Sequence, residues 1–211
     1  MSDTFAHPAT LADRLRRDTR ALHQQAERSG AMAALLRGTL ERARYTLLLR
    51  NLHAIYAALE AAFDVQPEAL RRSAPLAADL ADLHGAQWRT QLPLAAATQA
   101  YVQRLQRTPP PPLLAHAYVR YLGDLHGGQV LQRRVAATLG VEATRFYDFG
   151  DTARVQALIT QLRSALAALP AAGAAADAIV AEACWSFAQH IRLFEELQPA
   201  AQETRGTQAK G

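Results

Sequence analysis

Alanine and leucine supply 76 of the 211 residues, 46 and 30 respectively, while valine and isoleucine together supply only 12. Ala and Leu are the strongest helix formers, and the β-branched residues that pleated sheets favour are scarce, so the sequence points to an all-α fold. Half of the residues are hydrophobic and a fifth are charged. A chain of this length and balance has enough apolar material for one well-buried core and barely enough for two. A single compact helical domain over residues 1–198 is expected, with a disordered polar tail at 199–211 (AAQETRGTQAKG after Pro199).

Apolar residues recur at helical spacing through most of the chain. A first helix starts after Thr10, carries Leu11, Leu15, Leu22 and Ala26, and stops near Gly30. A second is expected from Glu41 to Phe63, a third from Pro67 to Gly85, and a fourth from Leu94 to Gln106. Pro109 to Pro112 read as a stiff polyproline lead-in, its last residue opening the longest helix, which Gly140 stops. Two further helices follow the loop RFYDFGD, over 152–169 and 174–197. No interdomain linker or internal repeat interrupts the series.

Charge and cysteine usage narrow the setting. Lys and Arg number 23 against 19 Asp and Glu, a formal net charge of +4, and 22 of the 23 are Arg, a skew that codon usage alone can produce. The excess is not gathered into a basic stripe with interleaved aromatics, so nucleic acid is not the expected partner. The lone Cys184 excludes an intramolecular disulfide and fits a reducing compartment. The N-terminal stretch lacks the apolar core of a signal peptide, and no apolar run approaches the ~20 residues that span a bilayer, so a cytoplasmic location is expected.

The most informative stretch is AHAYVRYLGDLHGGQVLQRR, residues 115–134, which places Gly123, Gly127 and Gly128 inside a helical pattern. Each interior glycine costs about 1 kcal/mol relative to alanine, roughly 3 kcal/mol for the three. At about 100° per residue, with Gly123 at the origin, Gly127, Arg120, Asp124 and Gly128 fall at about 40°, about 60°, about 100° and about 140°. One arc therefore carries three missing side chains, a carboxylate and a guanidinium, while His126 lies outside it. Close packing against another helix also gathers small residues, but a packing seam gains nothing from a central Asp. The other reading is a flat ligand lying on bare backbone, with Asp124 and Arg120 holding polar groups or water beside it.

None of the seven histidines has a zinc-site spacing. His23 differs in its neighbours: Glu27 lies one turn later and Arg16 two turns earlier, so all three share a face. A carboxylate beside a ligating imidazole fixes its tautomer, and an Arg pairs with an anionic ligand edge, although an ordinary charged surface stripe would look the same.

These segments together resemble the heme oxygenase family. The resemblance runs from LRRDTRALHQQAE (15–27) through HAIYAALE (53–60), QAYVQRL (99–105) and HAYVRYLGDLHGGQVL (116–131) to FAQHIRLFEELQ (187–198). It implies a compact helical fold with heme between the first helix and a kinked, glycine-rich distal helix. His23 resembles the proximal iron ligand, with Glu27 near its other ring nitrogen. Gly123, Gly127 and Gly128 resemble the distal positions where backbone meets heme. Asp124 resembles the organiser of a distal water network supported by Arg120, Tyr56 and Tyr101. Arg16 and Tyr118 match positions that meet heme propionates, and Phe187 matches a pocket-lining aromatic.

Some positions depart from the family. Val119 stands where a hydroxylated residue is common, and His190 replaces the polar residue at the end of the distal network. Gln156 and Thr160 align with a basic propionate clamp, for which Arg154 or Arg163 would have to substitute. The implied activity is oxidative cleavage of heme to biliverdin, carbon monoxide and ferrous iron, with O2 and reducing equivalents from an external ferredoxin or reductase. Heme is then both cofactor and substrate, and its orientation, hence the biliverdin isomer, stays open. Two other readings compete. One is a heme carrier or sensor without turnover. The other is a thiaminase-like hydrolase, which would need a catalytic cysteine in a polar pocket, whereas Cys184 lies in AEACWSF and reads as a buried structural residue.

Overall fold

The computed structural model describes residues 10–62 and 67–198. Phe63, the expected end of the second helix, and the expected tail at 199–211 lie outside the described residues. Helix α1 (Leu11–Glu27) opens on a reciprocal cap. The Asp13 N–H donates to the Thr10 hydroxyl at 3.2 Å, and the Thr10 N–H donates to the Asp13 carboxylate at 3.0 Å. Leu11, Leu15, Thr19 and Ala26 are buried, which leaves Arg16, His23 and Glu27 on the exposed side.

Gly30 is not the stop that the sequence suggests. The α1 cap is Arg28, and Gly30 opens a separate helix, α2 (Gly30–Arg37). At Gly30 φ is +39°, and an ideal Cβ would stand 1.9 Å from the Phe194 carbonyl oxygen. Glycine is required there by close approach of two backbones.

Helix α3 (Arg42–Ala62) buries Leu48, Leu52, Ile55 and Leu59 as its spacing predicts. Pro67 caps a single 3-10 turn (Glu68–Leu70) rather than opening the third long helix, which is α4 (Ser73–His84). A one-turn α5 (Trp88–Gln91) buries Trp88, and α6 (Ala96–Leu105) follows.

The proline run is helical sooner than expected. Pro109 is the cap and α7 (Pro110–Ala117) takes the next three prolines in its first turn. Those positions have no intrahelical partner for an N–H, so prolines lose nothing there. One π-turn (Tyr118–Leu122) joins α7 directly to α8 (Gly123–Leu139), which Gly140 ends at φ +60°. The run from 110 to 139 is thus one continuous helical rod with a single irregular turn. Helices α9 (Thr152–Ala167) and α10 (Ala174–Glu196) complete the fold.

α10 is the central element, packing on α1, α2, α6 and α7, while α3 lies between α4 and α6. Tyr45, Tyr56, Tyr101, Tyr121, Trp88 and Phe146 are the bulkiest buried side chains. The loop before α9 is pinned from below by two buried charges. Asp79 accepts the N–H groups of Arg145 (3.1 Å) and Phe146 (2.9 Å), and Arg72 donates to the Asp148 carbonyl at 2.6 Å. Among the described residues no helix is long and apolar enough to cross a membrane.

Candidate functional site

The first wall is the outer face of α1. His23 is about half exposed (52%), its Nδ1 3.8 Å from Glu27 Oε1, beyond hydrogen-bond range. Phe187 of α10 meets the imidazole edge-on, with ring centroids 5.8 Å apart. One turn back on α1, the buried Thr19 lies beside the Tyr118 hydroxyl from the π-turn. That contact ties α1 to the rod just before its glycines. Burial pushes the Tyr118 hydroxyl pKa up, while Thr19 and the charges of Arg16 and Arg163 pull it back.

The second wall is the start of α8. Gly123 has ordinary helical angles (φ −60°, ψ −48°), and an ideal Cβ on it would find nothing within 4 Å. Gly127 is equally free. Neither a positive φ nor a neighbouring helix requires glycine at these positions, so the seam reading fails for both. Gly128 behaves differently: its Cβ would lie 3.5 Å from the Tyr147 carbonyl oxygen. The bare arc expected from three glycines is therefore two glycines beside open space and one packed on the pinned loop.

Arg120 and Asp124 form the polar part of this wall. The Arg120 Nη2 donates to both Asp124 oxygens, at 3.0 and 3.2 Å, and its guanidinium sits 5.2 Å from the centre of the Tyr56 ring. Burial pushes the Asp124 carboxyl well above the usual range, and the adjoining guanidinium restrains that rise. The same burial brings Arg120 down to about 10. The Tyr56 hydroxyl, Arg120 Nε and His190 Nε2 are buried without a partner. Val119 is buried in the π-turn and supplies no polar group.

Tyr101 sits apart from the Asp124 carboxylate. Its hydroxyl contacts Ser186 Oγ at 2.5 Å and His116 Nδ1 at 2.8 Å. His116 Nε2 in turn lies 3.0 Å from Glu182, which also accepts two bonds from Arg104 at 2.9 and 2.6 Å. The sequence reading missed His116, Glu182 and Ser186. One available signal was Glu182 itself, an acid in the otherwise apolar run IVAEACWSF.

Of the two arginines offered as a substitute clamp, Arg163 lies nearer the mouth. Its charge reaches Tyr118 and Asp13, as that of Arg16 does, and its Nη2 lies 3.4 Å from His126 Nε2. Arg154 packs instead against Gly150 and acts on Arg72. Gln156 and Thr160 are exposed on α9. Cys184 is only partly buried, a correction to the sequence reading, and burial beside Asp18 raises its thiol. A thiol held protonated is a poor nucleophile, so the hydrolase reading loses its key residue. Among the described residues no group of three or more His, Cys, Asp or Glu could hold a metal ion. His23 is the half-exposed imidazole on the outer face of α1.

The heme oxygenase family profile matches residues 9–196. Heme oxygenase 1 of Nostoc sp. is 34% identical over 206 residues, covering 90% of this chain and 87% of that protein. The human heme oxygenase 1 is 35% identical over 209 residues, covering 90% and 73%. The crystal structure of heme oxygenase-1 from Synechocystis sp. in complex with heme superposes with a TM-score of 0.82 at 36% identity, over 89% of this chain and 92% of that one. The match spans both α1 with His23 and the glycine-bearing α8 with Asp124, and the chain belongs to the heme oxygenase family.

Proposed function

We infer that this protein binds heme between α1 and α8 and cleaves it to biliverdin, carbon monoxide and ferrous iron, using O2 and external electrons. The observation that carries the reading is a pair of interior helical glycines with nothing opposite them, in the same turn as a buried carboxylate. Heme supplies the iron at which oxygen is reduced and is itself the ring that is opened. His23 would hold the iron through one ring nitrogen, with the Glu27 carboxylate 3.8 Å from its Nδ1. Gly123 and Gly127 keep side chains out of the cleft, so a flat macrocycle can lie on the α8 backbone. Phe187 packs at the proximal edge.

Asp124 holds water on the distal side and passes a proton through it. Burial raises its carboxyl above the ordinary carboxylate range, which favours its holding a proton. Arg120 fixes the carboxylate in place, and the Tyr56 ring underlies the guanidinium. Arg16, Tyr118 and Arg163 meet the propionates at the mouth. An acidic electron-donor protein, a ferredoxin or reductase, docks against this basic rim, and its rate falls as salt rises. The location is cytoplasmic.

The test is direct. Hemin added to the protein gives a Soret band, which disappears under air with a reductant as biliverdin absorbance grows. Asp124→Asn keeps the Soret band and slows biliverdin formation by about 10²–10⁴-fold. A Soret band that survives reductant and air, with no biliverdin, would make the protein a heme carrier.

A further inference from the structure

The buried chain that runs inward from Arg104 ends on a phenol, and the direction of each bond in it is fixed. Burial would raise the Glu182 carboxyl, but His116 and Arg104 hold it down to about 2. An ionised carboxylate only accepts, so His116 Nε2, 3.0 Å away, carries the ring proton. On the neutral ring Nδ1 is then a bare lone pair, and it faces the Tyr101 hydroxyl at 2.8 Å. That hydroxyl donates to Nδ1, and Ser186 Oγ donates to the phenol oxygen. Tyr101, His116 and Ser186 are all buried. No other tyrosine among the described residues has a base against its hydroxyl. Those of Tyr56 and Tyr121 are buried without a partner, that of Tyr118 lies beside Thr19, and those of Tyr45 and Tyr147 lie beside each other.

This arrangement lets a phenol give up an electron. Burial pushes the Tyr101 hydroxyl pKa up, so at rest the proton stays on oxygen. Removing an electron alone would leave a buried phenol cation, which an apolar interior penalises heavily. Passing the proton to His116 avoids that, and the imidazolium formed lies 3.0 Å from the Glu182 carboxylate. Trp185, whose ring lies 5.4 Å from that of Tyr101, is a poorer electron donor. The Arg104 guanidinium stands 5.4 Å from its centre and opposes positive charge on the indole. Tyr101 also lies within electrostatic reach of Arg120 in the distal wall. Its ring is 5.1 Å from that of His190, which feels the same charge.

We propose that Tyr101 is a redox-active tyrosine that gives one electron to a strong oxidant formed in the cleft, with His116 taking its proton. The oxidant is of the one-electron class that heme and hydrogen peroxide form together when the O–O bond breaks. One electron goes to the oxidant, one proton moves from the Tyr101 oxygen to His116 Nδ1, and a neutral tyrosyl radical is left. An electron from the external donor and the proton returned by His116 restore the phenol. The relay spares other side chains from oxidation at random. This protective role rests on the heme oxygenase reading; the redox chemistry of Tyr101 does not.

Photogenerated ruthenium(III) tris-bipyridine, a one-electron oxidant, tests the chemistry in the heme-free full chain. Freeze-quenched EPR is expected to show a radical whose hyperfine pattern collapses when the tyrosines are ring-deuterated. Tyr101→Phe, which keeps the ring, loses the signal, and Tyr118→Phe, at a partly exposed tyrosine, keeps it. Oxidation of the wild type is slower in heavy water, since proton and electron leave together, and His116→Gln yields little radical. A radical that persists in Tyr101→Phe, or a wild-type rate indifferent to heavy water, overturns the proposal. In the hemin-loaded protein, hydrogen peroxide is expected to give the same radical. Its absence there, with the ruthenium signal intact, refutes the protective role. A chain that takes up no hemin overturns the heme oxygenase reading instead, and the ruthenium result still decides the chemistry of Tyr101.

Discussion

If Gly123 and Gly127 are bare for a ligand and not for the fold, alanine at either should make the protein more stable and less able to bind. Both sit inside a helix at negative φ, and a Cβ at either position meets nothing within 4 Å. Glycine at such a site costs about 1 kcal/mol relative to alanine, so each substitution should stabilise the heme-free protein by about 0.5–1 kcal/mol. For a domain of this size 1 kcal/mol moves Tm by about 2–4 °C, and the double variant should rise by roughly twice the single shift. The methyl group stands where the macrocycle would lie, so hemin affinity should drop at least about tenfold, the equivalent of about 1.4 kcal/mol. Urea or thermal melts of the heme-free variants and Soret titration read the two effects separately. Gly128→Ala is the control: its Cβ makes an ordinary 3.5 Å contact with the Tyr147 carbonyl, away from the cleft, so binding should change little. A Gly123→Ala protein that melts below the wild type would mean that the fold needs this glycine. Unchanged hemin binding in the double variant would place the ligand elsewhere.

Other substitutions probe separate parts of the structure. His23→Ala should keep the wild-type circular dichroism, since the side chain is half exposed, but lose turnover, with part of it restored by added imidazole. A normal ferrous–CO spectrum in that variant would assign the iron to another histidine. Glu182, opposed by burial but held down to about 2 by His116 and Arg104, against an ordinary 4.5, contributes about 3 kcal/mol. Because its folded pKa is the lower one, that contribution is complete above pH 4.5 and is lost as pH falls to about 2; Glu182→Gln should flatten this part of the stability–pH curve. Gly30→Ala forces a Cβ onto the Phe194 carbonyl and should destabilise by more than about 2 kcal/mol, read as a fall in the urea midpoint. Arg163→Ala should alter the biliverdin isomer distribution and Arg154→Ala should not, since only Arg163 shares the mouth with Arg16 and Tyr118; identical products from both would leave neither as the clamp.

Most of the helical layout was legible because amphipathic spacing is a local property. α1, α3, α9 and α10 fall close to where their apolar residues put them. The misplaced boundaries share one cause, a residue whose role depends on something distant or on a rule of helix ends. Gly30 looks like a helix stop until Phe194 comes to lie against it. The proline run looks like polyproline until its missing N–H groups are matched to a first turn that has no use for them. The second of these was recoverable from the sequence; the first was not.

The candidate site divides the same way. His23 and Glu27 stand in one contiguous segment and Asp124 and the glycines in another, so each set could be read from its own helix. Tyr101, His116 and Glu182 come from α6, α7 and α10, and become partners only when those helices pack. The deepest omission is the π-turn. Tyr118–Leu122 contains neither Pro nor Gly, and nothing in its composition marks an irregular turn. Its effect is visible in burial: Val119, Arg120, Tyr121 and Leu122 are all buried, and Gly123 directly after them is exposed. A regular amphipathic helix does not bury four successive residues on the edge of a cleft, because at about 100° per residue they sweep most of the circumference. A π-turn advances each residue by less than that. It keeps the four on the core side for longer, with Arg120 one turn before Asp124 and bonded to it. The one irregular turn in the rod thus does two things at once: it sinks a guanidinium into the core and starts the next turn with its backbone facing the cleft.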